Sequence, residues 1–188
     1  MSDAPSIKVL GISGSLRKGS FNTMALKTAQ GLAPSGVTIE IAEIADLPLY
    51  NEDVRAQGFP PVVQALRDKI LKADALLFVT PEYNYSVSGV LKNAIDWASR
   101  APDQPFNGKP VAIMGASAGV LGTARAQYHL RQTCVFLNMF PVNKPEVMIG
   151  QAQTRFDASG KLTDETTSGL IKQLLESLRD WTYRLQPR

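Results

Sequence analysis

Hydrophobic and polar positions along this chain switch between two periods, and the order of the switches lays out the elements. Ile7 to Ile12 is an apolar, β-branched run, Val37 to Ile44 alternates apolar with polar, and Ala75 to Thr80 is continuously apolar, as in a strand buried on both faces. Pro110 to Gly115 repeats the continuous pattern. A last strand is predicted within Met139 to Ile149, where Pro141 and Pro145 point to an edge or broken strand. Between these runs, apolar residues fall at helical spacing. The first such helix contains Met24 to Leu26 and fades around Gly31 to Pro34, the second follows Pro60-Pro61 over Val62 to Leu71, and the third carries Val90, Leu91, Ala94, Ile95 and Trp97. A fourth runs from Thr123 to Leu137. The last, capped by Asp164 or Thr163, puts Leu170, Ile171, Leu174, Leu175, Leu178 and Trp181 on one face.

Five strands alternating with five helices, without repeat, low-complexity tract or linker, predict an α/β domain with a doubly wound parallel sheet. Right-handed crossovers favour the order 2-1-3-4-5 with helices on both faces, and ligands then bind at the carboxyl ends of the strands, where the first and third diverge. Asp46 to Asp53 fits neither period and reads as a loop with exposed apolar and aromatic residues, a packing satellite or an interface.

Composition narrows the class. At 188 residues the chain suits one sizeable core, so residues 1–188 are expected to form a single domain. No run approaches a membrane span, and Met1 to Ser6 lacks the basic-then-apolar design of a secretory signal, which predicts a cytoplasmic protein. The net charge of +3 comes from dispersed basic residues, which argues against nucleic acid and suits anionic small molecules. Cys134 is the single cysteine and His129 the single histidine, so neither an internal disulfide nor a zinc site built on Cys and His is expected. No metal is expected. Neither residue has a nucleophilic or basic partner nearby in sequence, and no G-x-S-x-G elbow is present.

The chemistry concentrates after the first strand. Ser13, Gly14, Ser15, Gly19 and Ser20 form a small-residue loop ahead of a helix, where unpaired amides and the helix dipole favour an anion. The hydroxyls of Ser13, Ser15, Ser20 and Thr23, with Arg17, Lys18 and Asn22, add donors. Gly14 to Gly19 has the Walker interval, but Ser20 and Phe21 stand where Lys and Ser/Thr should follow. Ser13 and Leu16 replace two glycines of the dinucleotide fingerprint. The remaining reading is a cradle for a single terminal phosphate. After the third strand, Pro81-Glu82-Tyr83-Asn84-Tyr85 offers aromatic faces and an amide to a flat heteroaromatic ring. After the fourth, Ser117 and Gly119 let backbone approach the edge of such a ring. Phosphate, spacer and ring together describe a mononucleotide, and FMN is the one that does chemistry itself.

Three segments carry a resemblance: Gly11 to Thr23 (GISGSLRKGSFNT), Thr80 to Ser86 (TPEYNYS) with Gly89 to Trp97 (GVLKNAIDW), and Gly115 to Gly119 (GASAG). Together they resemble the NADPH-dependent FMN reductase family, specifically its bacterial quinone and chromate reductase branch. The resemblance covers nearly the whole chain and implies a flavodoxin-like fold with noncovalent FMN. By position it places phosphate binding on Ser15, Arg17, Ser20, Asn22 and Thr23, beside Ser13, Gly14 and Phe21 of the same loop. Ring binding falls on Pro81, Glu82, Tyr83, Asn84 and Tyr85, with Ser117 and Gly119 at the ring edge. It further implies a homodimer or homotetramer whose partner chain covers Leu47 to Tyr50, and it leaves the roles of Arg125, Tyr128 and Glu146 open.

The implied activity is a ping-pong oxidoreductase that takes hydride from NADPH or NADH and reduces quinones, azo dyes, ferric complexes or chromate. The cofactor does the hard step, so no catalytic side chain is named. The alternative is a flavodoxin-type electron carrier that binds FMN without oxidising NAD(P)H, although the S/T-x-T-G-x-T loop and the acidity usual for such carriers are missing.

Overall fold

The computed structural model describes residues 6–185. The amino-terminal segment read above for a leader lies outside them, apart from Ser6. The central sheet contains β1 (Ile7–Ser13), β2 (Val37–Ala42), β3 (Ala75–Val79), β4 (Pro110–Ala116), β5 (Phe140–Pro141) and β6 (Val147–Ile149). It is parallel throughout, in the order β2-β1-β3-β4-β5, with β6 also paired to β4. This is the flavodoxin-like topology expected from the alternation of periods. The helices are α1 (Phe21–Gly31), α2 (Glu52–Arg55), α3 (Pro61–Lys72), α4 (Gly89–Ala98), α5 (Ala124–Phe136) and α6 (Glu165–Leu185).

Two predicted elements differ in detail. The last strand is split into β5 and β6, which pair with opposite ends of β4; Pro141 and Pro145 each lack an amide donor, so the ladder is not continuous between them. The single turn of α2 emerges inside the segment read as a loop, because the Asn51 side chain accepts from Asp53 N at 2.8 Å and supplies a cap that hydrophobic periodicity does not register. The rest of that segment is tied down within the chain. Pro48 O accepts from Asn93 Nδ2 and Trp97 Nε1, both at 2.8 Å, Tyr50 packs edge-on against Trp97, and the apolar side chain of Leu49 projects, 86% exposed.

Side chains of the buried strands alternate between two cores. Ala75, Leu77, Val79, Ala112 and Met114 face α1 and α6, meeting Leu26, Ile171 and Leu175. Leu76, Phe78, Val111 and Ile113 face the other way, meeting Ile70 of α3, Leu91 and Ile95 of α4 and Leu130 of α5. Both faces of β3 and β4 are therefore dry, which is why their sequences are continuously apolar. Asp164 caps α6 by accepting from Thr167 N at 2.8 Å. The register Ser13↔Val79 and Val79↔Met114 brings the carboxyl ends of β1, β3 and β4 to one rim, and three loops leave from it.

Candidate functional site

The first loop, after β1, ends in a helix start with open amides. Ser20 is buried and caps α1, its Oγ accepting from Asn22 N at 3.2 Å and Thr23 N at 3.4 Å. The backbone amides from Ser15 to Gly19 find no acceptor among the described residues. Five unpaired donors in succession at a helix N-terminus make an anion-binding concavity. The Arg17 guanidinium stands 5.5 Å from the Phe21 ring and has no carboxylate partner among the described residues. Phe21 is held from below by stacking on Phe156 at 5.7 Å.

Other predicted members of this loop support it from behind. Ser13 Oγ and Thr23 Oγ1 bond each other at 3.0 Å, closing the helix against the strand end. Gly14 is wedged: its O accepts from Ser88 Oγ at 2.6 Å, and a Cβ there would lie 3.0 Å from that Oγ and 3.2 Å from Leu91 Cβ and Pro81 Cδ. Asn22, expected among the phosphate ligands, turns its amide to the end of β4. Its Nδ2 donates to Ala116 O and its Oδ1 accepts from Ala116 N, both at 2.9 Å. It lines the cleft as a tie between the first and third loops.

The second loop, Thr80 to Ser88, contains a two-residue turn. Tyr83 N donates to Ser86 O and Ser86 N to Tyr83 O, both at 3.0 Å, around Asn84 (φ 49°) and Tyr85 (φ 67°). This is the hairpin turn with both central residues left-handed. Pro81, Glu82 and Tyr83 line the cleft, whereas the turn carries Asn84 and Tyr85 out of its lining. The Tyr85 ring is instead covered by the Arg125 guanidinium, 3.7 Å from its centroid. Nor does the Glu82 carboxylate present itself to a ring. It accepts from Arg125 N at 3.0 Å and Ala126 N at 3.1 Å and pairs with Arg125 Nη2 at 2.5 Å.

The third loop, Ser117 to Thr123, is stiffened from outside. Ser117 N donates to Ile149 O at 3.0 Å, Ser117 Oγ to Gly122 O at 2.6 Å, and Gln151 N to Gly119 O at 3.1 Å. Gly115 lets the second and third loops converge, because a Cβ there would meet Thr80 O at 2.1 Å. Ser117 and Gly119 line the cleft, and Val120 and Leu121 form an exposed apolar lip that the sequence reading missed. Two apolar residues between glycines in a loop carry no periodic signal.

The cleft between the loops encloses about 480 Å³, a size ordinary for small-molecule sites. Of the two singular residues, Cys134 is on the buried face of α5, where burial pushes its thiol up to about 12 and removes it from nucleophilic chemistry. His129, without a partner nearby in sequence, meets one across the fold in a site loop: Nδ1 lies 3.0 Å from Ser86 Oγ, 43 positions away. Among the described residues, no cluster of three or more metal-ligating side chains occurs, and no helix is long and apolar enough to cross a membrane.

Open amides with Arg17 at one end of the cleft, and Tyr83 with small-residue backbone at the other, fit a phosphate joined to a flat ring. Comparison with known proteins agrees. Residues 7–154 match the model of the NADPH-dependent FMN reductase family. The chain is 66% identical over 180 residues to an NAD(P)H-dependent FMN reductase of Pseudomonas aeruginosa, an alignment covering 96% of this chain and 97% of that one. It is 48% identical over 183 residues to a quinone reductase of Escherichia coli, covering 96% and 97%. Among solved structures it is similar to FerB, a flavoenzyme NAD(P)H:(acceptor) oxidoreductase from Paracoccus denitrificans, with TM-score 0.85 and 38% identity over 95% of this chain and 98% of that one. The chain belongs to the NADPH-dependent FMN reductase family, which makes it an NAD(P)H-dependent oxidoreductase with FMN as cofactor.

Proposed function

We propose that this family member reduces quinones with electrons from NAD(P)H, using FMN held noncovalently in the three-loop cleft. The observation that carries the reading is the run of open amides from Ser15 to Gly19 in the same cleft as Tyr83, Ser117 and Gly119. Those amides, the hydroxyls of Ser15 and Ser20 and the Arg17 guanidinium hold the phosphate. Ser13, Gly14, Phe21, Asn22 and Thr23 keep that loop in shape. Pro81, Tyr83 and the backbone at Glu82 stand along the ring, with Asn84 and Tyr85 at its outer rim and Ser117 and Gly119 at its edge. When bound, FMN supplies hydride acceptance from the nicotinamide and electron transfer to the acceptor. The chain's own contribution is position and electrostatics: fixed donors neutralise an anionic cofactor without reorganising.

The relatives named for quinone reduction support quinones as acceptors. We extend the reading to chromate, azo dyes and ferric complexes, because the cleft is bordered by the exposed side chains of Tyr83, Val120 and Leu121 and so stays open to acceptors of different shape. A single domain over residues 1–188, cytoplasmic location, and assembly as a homodimer or homotetramer complete the proposal. The exposed Leu49 on its tied-down loop suits a partner chain. Arg125 lines the cleft, and Tyr128, one turn further along α5, donates from Oη to Glu146 Oε1 at 3.2 Å.

The test is an absorption spectrum of the purified protein followed by steady-state turnover of NADPH and NADH with benzoquinone. A flavin spectrum and parallel initial-rate lines are expected. Flavin without nicotinamide oxidation would favour the electron carrier, and failure to take up FMN would refute the cofactor site.

A further inference from the structure

Glu82 lies in the lining of the cleft, yet its side chain is only 6% exposed and both oxygens are engaged. Thr123, at the N-cap position of α5, makes no side-chain cap. The amides of Arg125 and Ala126 are satisfied instead by Glu82, 43 and 44 positions earlier in the chain. The second loop is bound to α5 at two further points. Arg125 covers the Tyr85 ring, and Ser86 Oγ meets His129 Nδ1 one turn along the helix. Between these points Asn84 and Tyr85 hold a left-handed conformation that residues with a Cβ avoid, and such a conformation persists only where its surroundings over-determine it.

We propose that Glu82 is a positioning residue. Acting through Arg125 and the first turn of α5, it fixes the second wall and keeps the Asn84–Tyr85 turn left-handed. This sets where Tyr83 and the backbone from Pro81 to Tyr83 stand against the cofactor ring and the acceptor. The proposal rests on the reading of the cleft as the FMN site. A mere helix cap would affect stability alone, whereas a positioning residue also affects how the bound ring is held.

The experiment compares the parent with Glu82→Ala and Glu82→Gln, beginning with FMN titration of the parent. Absence of uptake there would sink the cofactor reading itself. Given uptake, Glu82→Ala should weaken FMN binding about tenfold, change the visible circular dichroism of the bound flavin, and raise KM for benzoquinone more than it lowers kcat. Glu82→Gln keeps an acceptor for the amides but loses the ion pair, so it should move the same readouts less, and it carries the comparison if the alanine variant does not fold. Adding Tyr85→Gly should recover part of the lost affinity, because glycine adopts the left-handed turn without help from Arg125. Parent-like flavin dichroism, affinity and KM in the folded variants, with only the melting temperature lowered, would make Glu82 a cap and overturn the proposal.

Discussion

Asn22 and Ala116 stand 94 positions apart in sequence and hold each other through two hydrogen bonds of 2.9 Å, with Asn22 buried. The start of α1 is thereby locked to the end of β4, across the cleft floor. Asn22→Ala strands a buried amide and a buried carbonyl of Ala116, and should cost roughly 2–4 kcal/mol. Urea denaturation of the cofactor-free protein measures the loss. An unchanged midpoint and slope would mean that the two loops are held together elsewhere.

Arg17 is expected to serve ligand binding rather than the fold, since its guanidinium has no carboxylate partner among the described residues. Arg17→Ala should weaken FMN binding about tenfold, near the low end for a charge-assisted contact because the side chain is open to solvent. The difference should shrink with added salt while apo stability stays put. Fluorescence titration of FMN at two ionic strengths decides this, and equal affinity in mutant and parent would put the phosphate away from Arg17.

Tyr85 stands at the rim, 66% exposed and stacked under Arg125. Tyr85→Leu should alter the ranking of quinone, dye and oxyanion acceptors more than it alters flavin content. Identical acceptor ratios would leave Tyr85 with a packing role alone.

Neither Cys134 nor His129 is among the residues lining the cleft, so neither is expected to move a proton there. Cys134→Ser and His129→Gln, the latter keeping a donor for Ser86, should leave the rate of flavin bleaching by NADPH within about threefold of the parent in stopped flow. A fall of about a hundredfold, equivalent to roughly 2.7 kcal/mol, would require a side chain in the chemistry.

Asp164 gives the chain an acid-sensitive joint. The hydrogen bonds from the Thr167 side chain and backbone hold its carboxyl below the usual aspartate range, and Arg155 at 2.5 Å acts in the same sense. The folded value is depressed, so the stability it contributes is present above the unfolded value near 3.9 and is lost as pH falls through the folded one. Asp164→Ala should cost about 1 kcal/mol at neutral pH, and the gap to the parent should narrow as pH falls below the unfolded value near 3.9 and through the lower folded one. Melting curves across that range provide the check.

Much of this was legible in the sequence because burial writes itself into composition. Ala75 to Val79 is apolar throughout because α1 and α6 cover one face and α3 and α4 the other. The loop of open amides ahead of α1 was legible for a similar reason, since few structures need so many small and hydroxyl-bearing residues before a helix. What stayed hidden are bonds between distant residues. Asn22 has the chemistry of a phosphate ligand and Glu82 that of a ring-edge acceptor, but their partners, Ala116 and the amides of Arg125 and Ala126, become neighbours only after the sheet has formed. Nothing local to either residue announces that commitment. The short α2 escaped because its cap, Asn51, sits among residues without periodicity.

The division of the outermost sheet position into β5, of two residues, and β6, of three, bears on how copies of this chain can meet. An intact edge strand would offer a row of free amides and carbonyls to a neighbouring sheet and invite strand-to-strand polymerisation. Here Pro141 supplies no donor, and neither segment is long enough to template a partner strand. That edge is blunted, so strand-to-strand pairing of copies of this chain through it is disfavoured, and the six-residue β2 is left as the one continuous edge of the sheet among the described residues.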